Sequence, residues 1–319
     1  MLTHFLYRYK LGKQIRLASE APVYAQLHAS KAGTPTMGGI LIWGTTAMLT
    51  LAGSVVAGVW PKLGFLNFLS RSETFLPLGV LLVSAGVGLV DDIFNIRRQG
   101  SHGGGLRMRH RLLIYTAIAL VGAVWFYFKL DWDVLHIPFF GNIQIGWWYI
   151  PVFIGVIVAT SFSVNETDGL DGLAGGTLMA AFSVYGIVAF LLGRYDLAAF
   201  CGVIGGALLA FLWFNIFPAR FIMGDTGAMS LGVTLGVIAL LTNYAALLPL
   251  IGFVFVIETV SALLQMISKK LFGRKLFTSA PIHHHLEANG WPEPKIVMRF
   301  WIIAMVTASL GLMLFLLDR

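Results

Sequence analysis

The sequence predicts an all-α, polytopic transmembrane helix bundle, and three observations carry the prediction. The chain of 319 residues is 57% hydrophobic and only 12% charged. Its mean hydropathy is +0.81, far above that of soluble domains. Apolar runs of about 20 residues, the length that crosses a bilayer as a helix, recur along the chain. Nine such runs are read, at about 40–60, 75–94, 112–130, 147–164, 173–192, 197–216, 227–244, 246–267 and 300–317. The whole chain, 1–319, reads as one integral-membrane domain.

The runs are framed by polar elements. Residues 1–17 (MLTHFLYRYKLGKQIRL) alternate apolar and basic side chains and are too charged to span, so they read as a helix end or an interfacial segment. They have no continuous apolar core and no small-residue cleavage site, which excludes a signal peptide. The pairs Gly38-Gly39, Gly175-Gly176 and Gly205-Gly206 predict close helix contacts, and Pro138 with Gly141-Asn142 predicts a small hairpin within 131–146.

Orientation follows from the basic residues. Of 22 Lys and Arg, 17 fall on one side of the nine spans and 5 on the other. By the positive-inside rule the richer side is cytoplasmic. That side holds the N-terminal segment 1–39, the loops near 91–111, 165–172 and 217–226, and a histidine-containing loop at 268–299. The expected location is therefore the inner membrane, with the polar motifs facing the cytoplasm. The net charge of +7 is assigned to topology and anionic bilayer lipid rather than to nucleic acid. Cys201, the single cysteine, lies in an apolar run, which leaves neither a disulfide framework nor a thiolate metal site.

The chemistry-bearing residues gather on that same side. Asp91, Asp92, Asp168, Asp171 and Asp225 stand at or near span ends, where an unpaired carboxylate costs several kcal/mol and asks for a cation. Adjacent Asp91 and Asp92 suit Mg²⁺ binding or proton uptake, or else helix termination with Arg97 or Arg98 as partner. The segment Asn165-Glu-Thr-Asp-Gly-Leu-Asp-Gly172 is either a capped loop or a binding loop, and Asp225 in Met-Gly-Asp-Thr-Gly is either an N-cap or a ligand at a helix N-terminus. Three consecutive histidines, His283 to His285, cannot readily face one ion and have no Cys or i, i+4 His partner. They suit phosphate better than zinc, a solvated loop being the alternative. Lys31 and the hydroxyls of Lys31-Ala-Gly-Thr-Pro-Thr-Met-Gly-Gly39, Thr36 among them, add a cation and donors to that face, unless the segment only starts a helix. Oxygen ligands without thiolates point to Mg²⁺ or Mn²⁺ and thence to phosphoryl chemistry. No Walker A or kinase pattern is present, so the energy would reside in a substrate diphosphate. The membrane setting implies a lipid as the other substrate.

These motifs, KAGTPTMGG at 31–39, DD at 91–92, NETDGLDGLAGG at 165–176, FLWFNIFPARFIMGDTG at 211–227, ETVSALLQ at 258–265 and PIHHHLEANGWPE at 281–293, resemble the phospho-N-acetylmuramoyl-pentapeptide transferase family in order and over nearly the whole chain. The resemblance implies transfer of phospho-MurNAc-pentapeptide from its UDP carrier to undecaprenyl phosphate, giving lipid I and UMP for peptidoglycan synthesis. It also implies Mg²⁺ dependence, a homodimer and inhibition by nucleoside antibiotics. By position, Asp225 would ligate Mg²⁺, and Asp91 would deprotonate or position the lipid phosphate with Asp92 beside it. Lys31, Thr36, Asn165, Asp168, Asp171, Asn215 and Gln265 would bind substrate, mainly on the nucleotide side, and His283, His284 and His285 would contact its phosphates or sugar.

Some positions depart from the family. Asn95 stands where a lysine follows the aspartate pair, Arg111 and Tyr115 replace a lysine and a glutamine, and Glu166 replaces a leucine. Ile222 stands where an aromatic platform for uracil is usual, with Phe221 one position early. Family members usually carry a further span before the first motif, of which roughly FLYRYKLGKQIRL, residues 5–17, would be the basic end. Other readings are a GlcNAc-1-phosphate transferase of the same group, a transporter with an Asp/His relay, and a non-catalytic homologue.

Overall fold

The computed structural model describes residues 12, 31, 33–69, 72–97, 99 and 105–319. The basic segment 1–17 lies outside the described residues except for Gly12, which bridges to Pro35. Every apolar run forms helix: α1 (Gly39–Val59), α2 (Ser72–Ile96), α3 (Met108–Lys129), α4 (Tyr149–Thr167), α5 (Leu173–Leu191), α6 (Tyr195–Asn215), α7 (Asp225–Leu241), α8 (Leu248–Ile251), α9 (Phe253–Phe272), α10 (Ile282–Ala288) and α11 (Glu293–Asp318). The first six and α11 are long and apolar enough to cross a membrane, so the chain is a multi-pass membrane protein.

Two runs differ from the nine expected spans. Residues 246–267 do not form one straight rod: α8 and α9 meet at 80°. Pro249 sits in the first turn of α8, where it tolerates the missing N–H, and Gly252 lies at the joint. Residues 227–244 yield α7, a helix of 17 residues, about 25 Å long. The described residues thus hold seven spans, or eight if the bent pair counts as one.

The short helix is the axis of the molecule. Every residue of α7 from Thr226 to Leu241 is buried. Small residues bring its neighbours to backbone contact: a Cβ on Gly39 of α1 would overlap Gly227, one on Gly88 of α2 would strike Asp225 and Thr226, and one on Gly232 would meet Ser161 of α4. The Ser230 and Thr234 hydroxyls donate to carbonyls one turn back within α7, and Thr226 Oγ1 donates to the Ala85 carbonyl of α2. The buried hydroxyls of Thr226, Ser230 and Thr234 thus find their acceptors within the protein. Gly175 and Gly176 fit against Leu212 and Trp301 as the sequence suggests, but Gly206 faces open space and Gly205 makes only ordinary contact, so that pair is not a close contact.

The far end from the polar motifs carries the predicted hairpin, β1 (Val134–Ile137) with β2 (Gly141–Gln144), paired antiparallel with His136 opposite Asn142. It is pinned to two helix ends. His136 Nε2 lies 2.6 Å from Asp318 Oδ2 at the end of α11, and the His136 N–H donates to Asn243 Oδ1 just after α7.

Candidate active site

At the other end, the termini of α2, α3, α4 and α7 converge and bring four polar side chains together. Arg111, in the first turn of α3, places Nη2 2.7 Å from Asp91 Oδ2 and 2.8 Å from Asp225 Oδ2. Its Nη1 donates to Asn165 Oδ1 at 2.9 Å, and Asn165 Nδ2 donates to Asp225 Oδ1 at 2.5 Å. Asp91 Oδ1 accepts the Leu106 N–H at 2.6 Å. Asp91 is buried, whereas Asp225 and Arg111 keep side-chain exposures of 19% and 24%, so the cluster opens toward solvent on their side.

Asp92 points elsewhere, because neighbours on a helix stand about 100° apart. Its Oδ1 accepts the Asp225 N–H and its Oδ2 the Thr226 N–H, at 3.2 and 3.0 Å. It therefore caps α7, its negative charge lying against the positive end of the helix dipole. Thr36 Oγ1 donates to the same carboxylate at 3.3 Å. Gly224, at φ +75°, lets this pack: a Cβ there would strike Thr36 and Asp92. Asp168 Oδ2 accepts the Gly224 N–H. The loop before α7 is thus held from three sides, which fixes where Asp225 stands.

A second group ties three distant segments. Lys31 Nζ lies 2.8 Å from Asp171 Oδ1 and 2.5 Å from Glu293 Oε1, the first residue of α11. Glu293 Oε1 also accepts the Asp171 N–H, and Asp171 Oδ2 accepts the Ala219 N–H. Burial disfavours the Lys31 ammonium, but the facing Glu293 and Asp171 outweigh it and raise its pKa above the usual value. Lys31→Met is expected to cost roughly 2–4 kcal/mol, since it leaves two part-buried carboxylates facing each other. The loss should be smaller at low pH than at high pH, because burial already raises the Glu293 pKa and a proton on Glu293 relieves the facing charge. Thermal unfolding in detergent at low and high pH checks this; unchanged midpoints at both would dismiss the knot as a structural element.

Several residues expected to touch substrate are instead turned inward. Asn215 accepts the Gly172 N–H and donates to the Phe221 carbonyl, Gln265 binds Leu276 and Phe277 through three main-chain hydrogen bonds, and Thr36 is committed to Asp92. The three histidines diverge. His283 is wholly buried, Nδ1 lying 2.7 Å from Glu258 Oε2 and Nε2 directed at Gly169, where any Cβ would overlap it. His284 pairs with Glu287 at 2.7 Å, and His285 faces the Thr278 N–H and Asn289. In this structure His283, Asn215, Gln265 and Thr36 are buried, and their hydrogen bonds brace neighbouring loops and helix ends. Phe221 does not replace the absent aromatic at Ile222: it is buried, with ring centroids 5.7 and 5.8 Å from those of Phe211 and Phe214.

Three participants escaped the sequence reading of the site: Arg111 as a bridging cation, Glu293 and Glu258. Glu258 carried a visible signal, a lone carboxylate in the apolar run FVFVIETVSALL. Glu293 resembled an ordinary first-turn acid.

Among the described residues, no three His, Cys, Asp or Glu side chains form a preformed metal cage. Mg²⁺ is commonly held by one or two carboxylates, with substrate phosphates and water completing the shell. Asp225 and Asp91, converging on one nitrogen with the amide oxygen of Asn165 alongside, fit that mode. Zinc does not fit, for the histidines diverge.

Residues 74–243 match the family model Glycosyl transferase family 4, and residues 31–42 match Phospho-N-acetylmuramoyl-pentapeptide-transferase signature 1. A carboxylate and arginine site at one end of a membrane bundle, in such a chain, defines a membrane-embedded transferase. The chain is 40% identical to the phospho-N-acetylmuramoyl-pentapeptide-transferase of Chloroflexus aggregans over 327 aligned positions, which span 98% of this chain and 84% of the relative. The enzyme of that name from Chloroflexus aurantiacus is 40% identical over 326 positions, with the same coverage. This chain belongs to the phospho-N-acetylmuramoyl-pentapeptide-transferase family. The transporter reading falls with that finding.

Proposed function

We propose that the protein transfers phospho-MurNAc-pentapeptide from UDP-MurNAc-pentapeptide to undecaprenyl phosphate, releasing UMP and forming lipid I, at the cytoplasmic face of the inner membrane and as a homodimer. The observation that carries the chemistry is the convergence of Asp91, Asp225, Asn165 and Arg111 at the ends of four helices. Membership of the family supports the substrates, and the bias of basic residues, 17 of 22 on the motif-bearing side, supports the orientation.

In this reading a phosphate oxygen of the lipid attacks the sugar-bearing phosphorus of the UDP carrier, and the bond to the UMP oxygen breaks as the new diphosphate forms. Asp225, with Asp91 beside it, would hold Mg²⁺, which would supply charge neutralisation for the diphosphate and the leaving UMP. Asp91 positions the lipid phosphate and accepts its proton. Asp92 fixes the start of α7, so that Asp225 is presented without rearrangement. His284, His285 and Asp168 line the approach for the nucleotide and sugar.

The test is UMP release from purified protein supplied with UDP-MurNAc-pentapeptide and undecaprenyl phosphate. Release should occur with Mg²⁺ and stop when EDTA removes it. Lipid-linked product from UDP-GlcNAc but none from UDP-MurNAc-pentapeptide would overturn the sugar assignment, and undiminished release in EDTA would overturn the metal.

A further inference from the structure

Arg111 occupies the place that a cation shared by Asp91 and Asp225 would take. One nitrogen, Nη2, serves both carboxylates, at 2.7 and 2.8 Å, while Nη1 engages the Asn165 oxygen at 2.9 Å. The arrangement is not set by helix stability. A positive side chain in the first turn opposes the helix dipole, and α3 has no acidic residue there to offset it. Nor is the guanidinium fully satisfied, since its buried Nε finds no acceptor among the described residues. A small divalent ion requires oxygens at about 2.1 Å and cannot share the same carboxylate oxygens with a guanidinium nitrogen between them. A diphosphate, in contrast, offers several charged acceptors to the planar fork of an arginine.

On the reading of metal-assisted transfer given above, we infer that Arg111 is an internal counter-cation, exchanged during substrate binding. It holds the Asp91 and Asp225 carboxylates until a divalent ion arrives with the nucleotide, and then passes to the diphosphate as the ion takes the carboxylates. Two consequences follow. Free metal binds weakly alone, because it must displace a resident charge. Metal and nucleotide also bind synergistically, and by linkage each tightens the other by the same factor. Arg111 is thus a positioning residue in the free enzyme and a substrate contact in the complex. No covalent step is involved.

The experiment measures binding of Mn²⁺, by its electron paramagnetic resonance signal, to the full-length protein in nanodiscs, with and without uridine diphosphate. In the wild type, uridine diphosphate should tighten Mn²⁺ binding by at least about tenfold. In Arg111→Gln, Mn²⁺ alone should bind at least about tenfold more tightly than to the wild type, because one positive charge has left the site. Uridine diphosphate should then add little. Asp225→Asn in the Arg111→Gln background should lose the tight site, which locates it. If Arg111→Gln does not fold, Arg111→Lys decides. Its single ammonium bridges two carboxylates less well than the fork, so Mn²⁺ alone should bind about threefold more tightly than to the wild type. Wild-type affinity for Mn²⁺ alone, with undiminished synergy, in the folded variant that decides would overturn the exchange while leaving the metal reading intact. Failure of every form to bind Mn²⁺, even with uridine diphosphate, would overturn both.

Discussion

Asp225→Asn is expected to lower the turnover number for UMP release by about 10³-fold, with little change in thermal stability. Asparagine preserves the shape and the main-chain N–H that Asp92 receives, so the start of α7 stays capped. It removes the charge that faces Arg111 at 2.8 Å and the anionic oxygen that takes the Asn165 amide at 2.5 Å. The diphosphate would then meet the arginine with no carboxylate left on α7 to hold a counter-ion. Asp91→Asn should act in the same direction, since Asp91 shares that arginine. Steady-state assays at saturating nucleotide, paired with thermal unfolding, separate loss of chemistry from loss of fold. Turnover like that of the wild type in Asp225→Asn would refute its assigned role.

Glu258→Ala is expected to be the most damaging substitution for stability, at about 3–5 kcal/mol. Both Glu258 and His283 are wholly buried, and their contact joins α9 to α10 across the Gly169 loop. Burial opposes the His283 imidazolium, but Glu258 against Nδ1 outweighs it and raises the pKa above its ordinary value of 6.5. The sign of the pH dependence follows. The unfolded chain titrates near 6.5 and the folded one higher, so the pair contributes its full stability below the unfolded value. That contribution is lost as pH rises through the folded value. Wild-type protein should therefore lose stability through this pair as pH rises from the ordinary imidazole value of 6.5 through the raised folded value, and Glu258→Ala should remove that dependence along with the stability. Replacing both residues by apolar ones, Glu258→Met with His283→Leu, should recover most of the loss, because no buried charge is stranded. Thermal melts across pH 5 to 9 read all three. A slope retained in Glu258→Ala would assign the dependence to other groups.

The membrane class and the grouping of motifs were legible because hydropathy and charge report directly on solvent, residue by residue. The hairpin was legible from Pro138 and Gly141-Asn142, since turn geometry is a local demand. What could not be read depended on direction or distance. Asp91 and Asp92 are alike in sequence, yet one meets Arg111 and the other caps α7, a distinction made by rotation about the α2 axis. His283, His284 and His285 form one motif on paper and three separate contacts in space. Glu258 stands as a lone carboxylate in an apolar run, a signal the sequence reading passed over, and its partner lies 25 residues on, beyond a turn. The bend at Gly252 was missed because periodicity is blind to a break that leaves both halves apolar.

The brevity of α7 has one more consequence. A helix bathed in lipid must match its hydrophobic length to the bilayer and tilts or stretches when thickness changes. The buried axis, at 17 residues, touches no acyl chain and is released from that requirement. Asp225, at its tip, takes its height from the protein contacts of α1, α2 and α4 rather than from the acyl chains around the bundle. The spacing of the carboxylates and Arg111 is thus fixed by contacts inside the bundle, so a change of lipid length is expected to leave it in place.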